Sequence, residues 1–182
     1  MKKKILVLFL GGALLVSGLV WASGEDDSVY DIINNEDTTA FSQLVTLGYD
    51  IDDSDADGYT PLMIASSLGK AQFVQFLIDN GADVNRRSYN GETAMHRAAI
   101  TGNNEIVNIL FEAGANLNMP DFDGNTPLMY AVTANRRFTV ERLVTLGADI
   151  NFRNASKETA LKVAEKNRFK EVASFLRSKG AH

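Results

Sequence analysis

The sequence predicts an all-α solenoid of helix-turn-helix units joined by β-hairpin-like loops. A five-residue phrase at 58–62, Gly-Tyr-Thr-Pro-Leu, returns at 91–95 and 124–128, and in degraded form at 157–161. A second phrase, Gly-Ala-Asp-Val-Asn at 81–85, returns in variant form at 114–118 and 147–151. Both phrases keep a period of 33 residues, which indicates stacked supersecondary units. Such stacks usually present a binding surface rather than a catalytic pocket.

The N-terminus predicts a secretory signal peptide over residues 1–22. Three lysines precede an apolar stretch at 5–20, and the small residue Ala22 follows it. We expect cleavage after Ala22, with Gly24 as the alternative, because the apolar stretch is short for a membrane span. The mature chain, 23–182, is then exported without a membrane anchor. We expect it in the periplasm, with secretion as the alternative.

Composition narrows the function classes. The 182 residues carry a net charge of −5 and include no cysteine, so disulfides, thiolate metal sites and a thiol nucleophile are excluded. Residues 23–69 contain eleven acidic side chains and no lysine or arginine. This acidic balance argues against nucleic acid or an anionic membrane as the main partner.

The unit at 58–90 shows why each element should form. Thr60 suits the N-cap of a first helix, and Pro61 suits its first position, where the missing N–H costs nothing. Gly69 supplies the left-handed conformation that ends this helix. A second helix is predicted at about 72–80, where apolar residues recur on one face. An extended loop with a tight turn then leads into the next unit.

The later units repeat this pattern. The second helices carry their apolar residues in register at Val74, Leu77, Val107, Leu110, Val140 and Leu143. One helix pair is too small to bury its own apolar face, so the neighbouring units must supply the core. Leu110, in the central unit, is therefore predicted to be a core residue.

The two phrases resemble those of the ankyrin repeat family, which carries T-P-L and G-A-D-V-N elements at this spacing. The resemblance covers about residues 25–182 and implies three full repeats between two capping repeats. The units are an N-terminal cap at 25–57, full repeats at 58–90, 91–123 and 124–156, and a C-terminal cap at 157–182. Polar outer faces on the terminal units are what capping repeats require.

Three positions depart from the family pattern. Ala94 replaces a proline, while Asn135 and Arg168 replace the glycine that ends the first helix. Asparagine tolerates the left-handed conformation, but arginine adopts it poorly. We therefore expect the first helix of the last unit to end differently or to fray.

In ankyrin proteins the partner usually meets a concave face made of the loop tips and the exposed side of each first helix. Large aromatic residues on turn tips have no core to fill and suit an interface, unless each ring lies flat on its neighbouring loop. The resemblance implies these partner-binding candidates: Asp57, Tyr59, Tyr89, Asn90, Glu92, Arg97, Phe122, Asp123, Asn125 and Tyr130.

The acidic run at 50–57 invites comparison with a calcium loop. Asp53, Asp55 and Asp57 match the start of an EF-hand, but Ile64 stands where the bidentate glutamate is required. The run is therefore not an EF-hand. We interpret it as an acidic tip that steers a basic partner, with weak calcium binding as the alternative.

The sequence offers little for catalysis. His96 occupies the position at which ankyrin repeats use histidine to brace the loop, and His182 is terminal. No nucleophile motif or phosphate loop appears outside the leader. We expect no enzymatic activity, no cofactor and no metal.

The resemblance therefore implies a non-enzymatic, monomeric scaffold that binds another protein. Exported bacterial ankyrin proteins suggest three roles, which the residues leave open. The first is an immunity protein that inhibits a secreted toxin. The second is an accessory of a periplasmic stress-defence enzyme such as catalase, and the third is a secreted factor that binds a host protein.

Overall fold

The structure is a computed structural model that describes residues 8–10, 13–15 and 26–182. Two short antiparallel strands, β1 (Leu8–Leu10) and β2 (Ala13–Leu15), lie within the predicted leader. The remaining described residues form ten helices: α1 (Asp26–Asn34), α2 (Thr38–Thr46), α3 (Pro61–Leu68), α4 (Ala71–Asp79), α5 (Ala94–Thr101), α6 (Asn104–Glu112), α7 (Pro127–Thr133), α8 (Arg137–Thr145), α9 (Ala160–Lys166) and α10 (Lys170–Ser178).

The predicted cleavage positions, Ala22 and Gly24, lie outside the described residues. Within the described part of the chain, no helix combines the length and the apolar character needed to cross a membrane.

The helices form for the reasons that the sequence indicates. At α3 the Thr60 hydroxyl accepts a hydrogen bond from the Met63 N–H at 3.4 Å, and Pro61 occupies the first turn. Gly69 ends this helix at φ 75°, with its N–H bonded to the Ala65 carbonyl. The following helix, α4, begins one residue earlier than predicted and buries its apolar face.

The helices stack in two layers, which confirms the predicted all-α solenoid. The odd-numbered helices α1 to α9 pack on one another in succession, and α4, α6, α8 and α10 do the same in the second layer. Equivalent leucines of the second layer are fully buried at Leu77, Leu110, Leu143 and Leu176. Leu110 is thus a core residue, as predicted, and the core runs continuously between the two layers.

A ladder of hydrogen bonds ties each unit to the next at the base of the loops. In each case a side-chain oxygen accepts from a backbone N–H 31 residues ahead. The pairs are Asp52 with Asp83 at 3.1 Å, Asn85 with Asn116 at 2.8 Å, Asn118 with Asp149 at 2.7 Å, and Asn151 with His182 at 3.1 Å.

The ends of the first helices depend on whether glycine follows them. Helices α3 and α5 contain 8 residues, whereas α7 and α9 contain 7. Asn135 and Arg168 still adopt left-handed φ values of 52° and 62°. Their N–H groups donate to the carbonyl three residues earlier in the chain. The Gly69 N–H, in contrast, donates to the carbonyl four residues earlier. The first helix of the last unit, α9, therefore ends differently, as expected, and α7 does so too. The expected reason was wrong, because Arg168 adopts the left-handed conformation that arginine was expected to avoid.

Candidate functional site

Each loop tip is a tight turn held by one polar side chain. In the third tip, Asp121 Oδ1 accepts from the N–H groups of Asp123 at 3.0 Å and Asn125 at 2.7 Å. The Asp121 N–H in turn donates to the Asn125 carbonyl at 2.9 Å, which closes a small hairpin. Asp55, Ser88 and Asn154 hold the other tips from the equivalent position. Side-chain oxygens of this kind commonly stabilise turns, so each tip has a defined shape.

Successive tips are joined by backbone hydrogen bonds. The N–H of Tyr89 donates to the Asp57 carbonyl at 3.1 Å, and the N–H of Phe122 donates to the Asn90 carbonyl at 3.0 Å. The Ala155 N–H continues the series to the Asp123 carbonyl at 2.9 Å. We call these four connected turns the tip ladder. It fixes each tip relative to its neighbours.

Two large aromatic side chains stand exposed on neighbouring tips. Tyr89 is 69% exposed and Phe122 is 68% exposed. The Arg87 guanidinium lies 4.8 Å from the centre of the Phe122 ring, and it donates to the Pro120 carbonyl at 2.7 Å. This cation–π contact orients the Phe122 ring while leaving most of its surface open.

Polar side chains accompany this aromatic pair. Asp57, Asn90 and Asp123 occupy equivalent positions on three successive tips and are exposed. Asp57 supplies the carbonyl bonded by Tyr89, and Asp123 lies directly after Phe122. One carboxylate therefore stands on each side of the pair along the tip ladder.

The other five candidates lie further inside the concave face. Glu92 is only 8% exposed. Its Oε2 accepts from Arg97 Nη1 at 3.1 Å and from the Tyr59 hydroxyl at 3.4 Å, and its Oε1 lies 3.0 Å from the Tyr130 hydroxyl. The Arg97 guanidinium also stacks on the Tyr59 ring at 5.1 Å. These contacts join three consecutive units through one buried carboxylate.

Tyr130 connects this carboxylate to a second one. Its hydroxyl lies 2.9 Å from Asp121 Oδ2, so a single proton is shared between the oxygens of Asp121 and Glu92. Burial, the hydrogen bond to Asp121 and the charge of Glu92 raise the pKa of Tyr130. Burial and the charge of Glu92 also raise the pKa of Tyr59. Both hydroxyls therefore remain protonated donors at neutral pH.

His96 braces the loop, as predicted. Its Nδ1 accepts from the Thr93 N–H at 3.0 Å, so the proton of the neutral ring lies on Nε2, which donates to the Asn125 carbonyl at 3.1 Å. Burial lowers the pKa of His96, and the Tyr130 ring packs edge-on at 4.9 Å. The ring is fully buried, so it serves structure rather than proton transfer to a ligand.

The acidic run at 50–57 is used within the fold. Asp55 Oδ1 accepts from the Asp57 and Tyr59 N–H groups at 3.0 and 2.8 Å. Asp52 accepts from Asp83, and its burial raises its pKa. Among the described residues, no group of three histidine or acidic side chains is arranged to hold a metal ion.

The ten candidates therefore fall into two groups. Asp57, Tyr89, Asn90, Phe122 and Asp123 form an exposed group that we call the tip surface. Tyr59, Glu92, Arg97, Asn125 and Tyr130 form a partly buried group that we call the concave cluster. In this second group the Asn125 side chain accepts from Asn154 at 2.8 Å.

Two contributing residues were not among the sequence candidates. Asp121 holds both the tip and Tyr130, and its signal was its equivalence to Asp55, two 33-residue periods earlier, which also holds a tip. Arg87 supports Phe122, and its signal was its equivalence to Arg153, two periods later.

Comparison with known proteins agrees with this architecture. A search of curated proteins returned no match to this chain. A family profile described as ankyrin repeats (3 copies) matches residues 29–121 and 118–182. These two matches include every helix from α2 to α10 and both groups of candidate residues. The chain therefore belongs to the ankyrin repeat family.

Proposed function

We propose that this protein is an exported, non-enzymatic scaffold that binds one dedicated protein partner through the tip surface. Ankyrin repeats generally mediate protein–protein interaction. The observation that carries the proposal is the pair of exposed aromatic rings on adjacent, hydrogen-bonded tips, Tyr89 and Phe122. Tyrosine and other large side chains at interface centres often provide most of the binding energy.

The rigidity of the tips supports this proposal. Each ring sits on a turn that is hydrogen-bonded to the next turn, and Phe122 is further held by Arg87. Little conformational entropy is then lost when a partner covers them, because the backbone is already ordered. The concave cluster contributes indirectly, since Glu92 and Tyr130 hold successive units in one orientation.

The charge of this region indicates the chemistry of the partner. Asp57 and Asp123 flank the aromatic pair, while the Arg87 guanidinium lies against the Phe122 ring. An apolar pocket whose rim carries basic groups opposite Asp57 and Asp123 would therefore complement the tip surface, and opposite charges would accelerate encounter.

Within this function, we favour the role of an inhibitor, in which the protein blocks a secreted toxin and so acts as an immunity protein. A rigid, preformed surface suits tight inhibition, because such interfaces move little on binding. The roles of enzyme accessory and host-directed factor are the other outcomes of the experiment below.

The experiment is an affinity capture from native cell-envelope extract, from secreted protein mixtures and from host protein mixtures. The double variant Tyr89→Ala/Phe122→Ala is compared with the wild type. The matched control is Phe111→Ala/Phe138→Ala, which removes two rings that are 39% and 73% exposed on second-layer helices. We expect the tip variant to lose a specific partner and to bind the purified partner more than about tenfold more weakly, or 1.4 kcal/mol. The control should bind as the wild type does.

The outcomes separate the proposals. Equal binding by the tip variant and the wild type would contradict the tip surface as the interface. If the captured partner is an enzyme, its loss of activity in the complex supports inhibition, whereas full activity supports an accessory role. Capture only from host protein mixtures would support a host-directed factor.

A further inference from the structure

The exposed residues of the tips form two parallel rows along the tip ladder. One row contains the residues whose N–H groups attach each tip to the one before it, and two of its members are the large rings of Tyr89 and Phe122. The other row contains the next residue on each tip. Its members in chain order are Asp57, Asn90, Asp123 and Ser156, all of them exposed. An aromatic row therefore runs beside a polar row.

The stacking of the units sets the spacing within these rows. The first helices α3, α5 and α7 pack directly on one another, and helices in such contact lie about 8–10 Å apart. Because successive tips are attached by the same backbone hydrogen bond, the tips keep this period. Asp57 and Asp123, two tips apart, are therefore separated by about 16–20 Å along the ladder.

This period fits an α-helix better than an extended strand. Seven residues of an α-helix advance about 10.5 Å, close to the upper end of the tip spacing, and return to nearly the same face. In a strand, residues on one face recur after about 6.7 Å and about 13 Å, both outside the tip spacing. A helix lying along the ladder can therefore present equivalent residues to successive tips, whereas a strand cannot.

The charges near the polar row set the chemistry of such a helix. Two tips correspond to two heptads, so Asp57 and Asp123 favour basic residues about 14 positions apart. Midway between them Asn90 is uncharged, and Arg87 on the same tip disfavours a basic residue there. On the fourth tip the exposed Lys157 disfavours a third basic residue one heptad further on.

The aromatic row supplies the apolar contact area. Tyr89 and Phe122 lie on neighbouring tips, so a helix can place one heptad beside each ring. Amphipathic helices carry apolar residues three and four positions apart on one face. That stripe can cover the two rings while basic residues at its margin lie opposite the two aspartates.

We propose that the tip surface binds an amphipathic α-helix of its partner, which lies along the tip ladder and forms one wall of the partner's apolar pocket. Two basic residues of this helix, about 14 positions apart, lie opposite Asp57 and Asp123. Its apolar stripe covers Tyr89 and Phe122, and the residue midway between the basic pair is not basic. This inference rests on the proposed function, because it takes the tip surface as the interface.

Two displayed libraries, selected on the purified protein, test this proposal. In the first, the exposed face of one helix of a small helical bundle is randomised over three heptads. In the second, an exposed edge strand of a small β-sheet scaffold is randomised over the same length. We expect the helix library to yield clones that bind Tyr89→Ala/Phe122→Ala more than about tenfold more weakly than the wild type. These tip-dependent clones should carry Lys or Arg at two positions about 14 residues apart.

Neutralised carboxylates then test the register of the helix. Asp57→Asn and Asp123→Asn should each weaken the binding of the selected helices by up to about fivefold, as expected for exposed charge pairs. Glu112→Gln is the matched control, because it removes an exposed carboxylate at the end of α6 in the second layer. Replacement of one basic residue of the helix by glutamine should abolish the effect of only one of the two aspartate variants, since the pairs are separate.

The outcomes distinguish this inference from the proposed function. Tip-dependent clones from the strand library alone, or helical clones without this spacing of basic residues, would overturn the helix and leave the tip surface as the interface. Binding of either aspartate variant equal to that of Glu112→Gln would overturn the charge pairing in the same way. Failure of both libraries to yield tip-dependent clones would contradict the tip surface as a binding site, and with it the proposed function.

Discussion

Gly124 and Gly147 both adopt positive φ, but only Gly124 faces the backbone of a neighbouring tip. Their φ values are 80° and 98°. A Cβ on Gly147 would meet nothing within 4 Å, whereas a Cβ on Gly124 would lie 2.7 Å from the Ala155 nitrogen and 3.0 Å from the Asn154 Cα. Alanine at the two positions therefore separates the conformational cost from the cost of the clash.

The magnitudes follow from the contacts. Alanine in the left-handed region costs about 1–2 kcal/mol, which is the whole expected loss for Gly147→Ala. Gly124→Ala must also push the fourth tip away. That movement would weaken or break the Ala155–Asp123 hydrogen bond of 2.9 Å and the Asn154–Asn125 hydrogen bond of 2.8 Å. At about 0.5–1.5 kcal/mol for each hydrogen bond, the total loss is about 2–5 kcal/mol.

Equilibrium urea unfolding followed by circular dichroism measures the difference. A gap of about 2 kcal/mol separates the two midpoints by about 1 M urea when the slope is near 2 kcal/mol/M. The slopes should match that of the wild type. Equal losses of stability in the two variants would refute the argument that glycine is required by the approach of the next tip.

Three further predictions concern the core, the concave cluster and the buried histidine. Leu110→Ala should lower the free energy of unfolding by about 2–5 kcal/mol. Phe138→Ala, at a 73% exposed position, should change it little. Equal effects of the two variants in urea unfolding would contradict the assignment of Leu110 to the core. Tyr130→Phe should cost about 1–3 kcal/mol, because Glu92 and Asp121 lose their shared donor, and an unchanged midpoint would show that the bridge contributes nothing. Burial lowers the pKa of His96 in the folded protein. As the pH falls below about 6.5, the unfolded chain therefore takes up a proton at this histidine before the folded protein does. The free energy of unfolding should then decrease by at most about 1.4 kcal/mol per pH unit because of this residue. His96→Gln should lose this part of the pH dependence while His182→Gln keeps it, and an identical acid response of His96→Gln and the wild type would exclude the effect.

The fold was predictable because its signals are local and repeated. Thr60, Pro61 and Gly69 specify where a helix begins and ends through contacts within a few residues, and the 33-residue period repeats them. The shorter length of α7 was harder to predict from the sequence. Asn135, which stands where other units have glycine, shifts the acceptor of one hydrogen bond by one residue and leaves the turn in place.

The site was predictable only in part. The exposure of Tyr89 and Phe122 follows from their place on turn tips, which have no neighbouring core. The concave cluster depends on distances between units, which the period does not specify. Glu92 was a surface candidate by register, but Tyr130, 38 residues away, covers it. Asp121 belongs with this cluster because the same Tyr130 hydroxyl also donates to its Oδ2.

The ladder at the base of the loops has a consequence for insertion and deletion of whole units. Each bond joins a residue to one 31 positions ahead, and Asp or Asn supplies the acceptor in each of the first four units. Removal of residues 91–123 would leave Asn85 opposite the Asp149 N–H. The chain can therefore lose one repeat and still form the hydrogen bond between the two units that become neighbours. The same excision takes away Phe122, Glu92 and Asp121 together. The scaffold is modular, whereas the candidate binding region draws residues from several units, so the loss of one unit breaks its contacts.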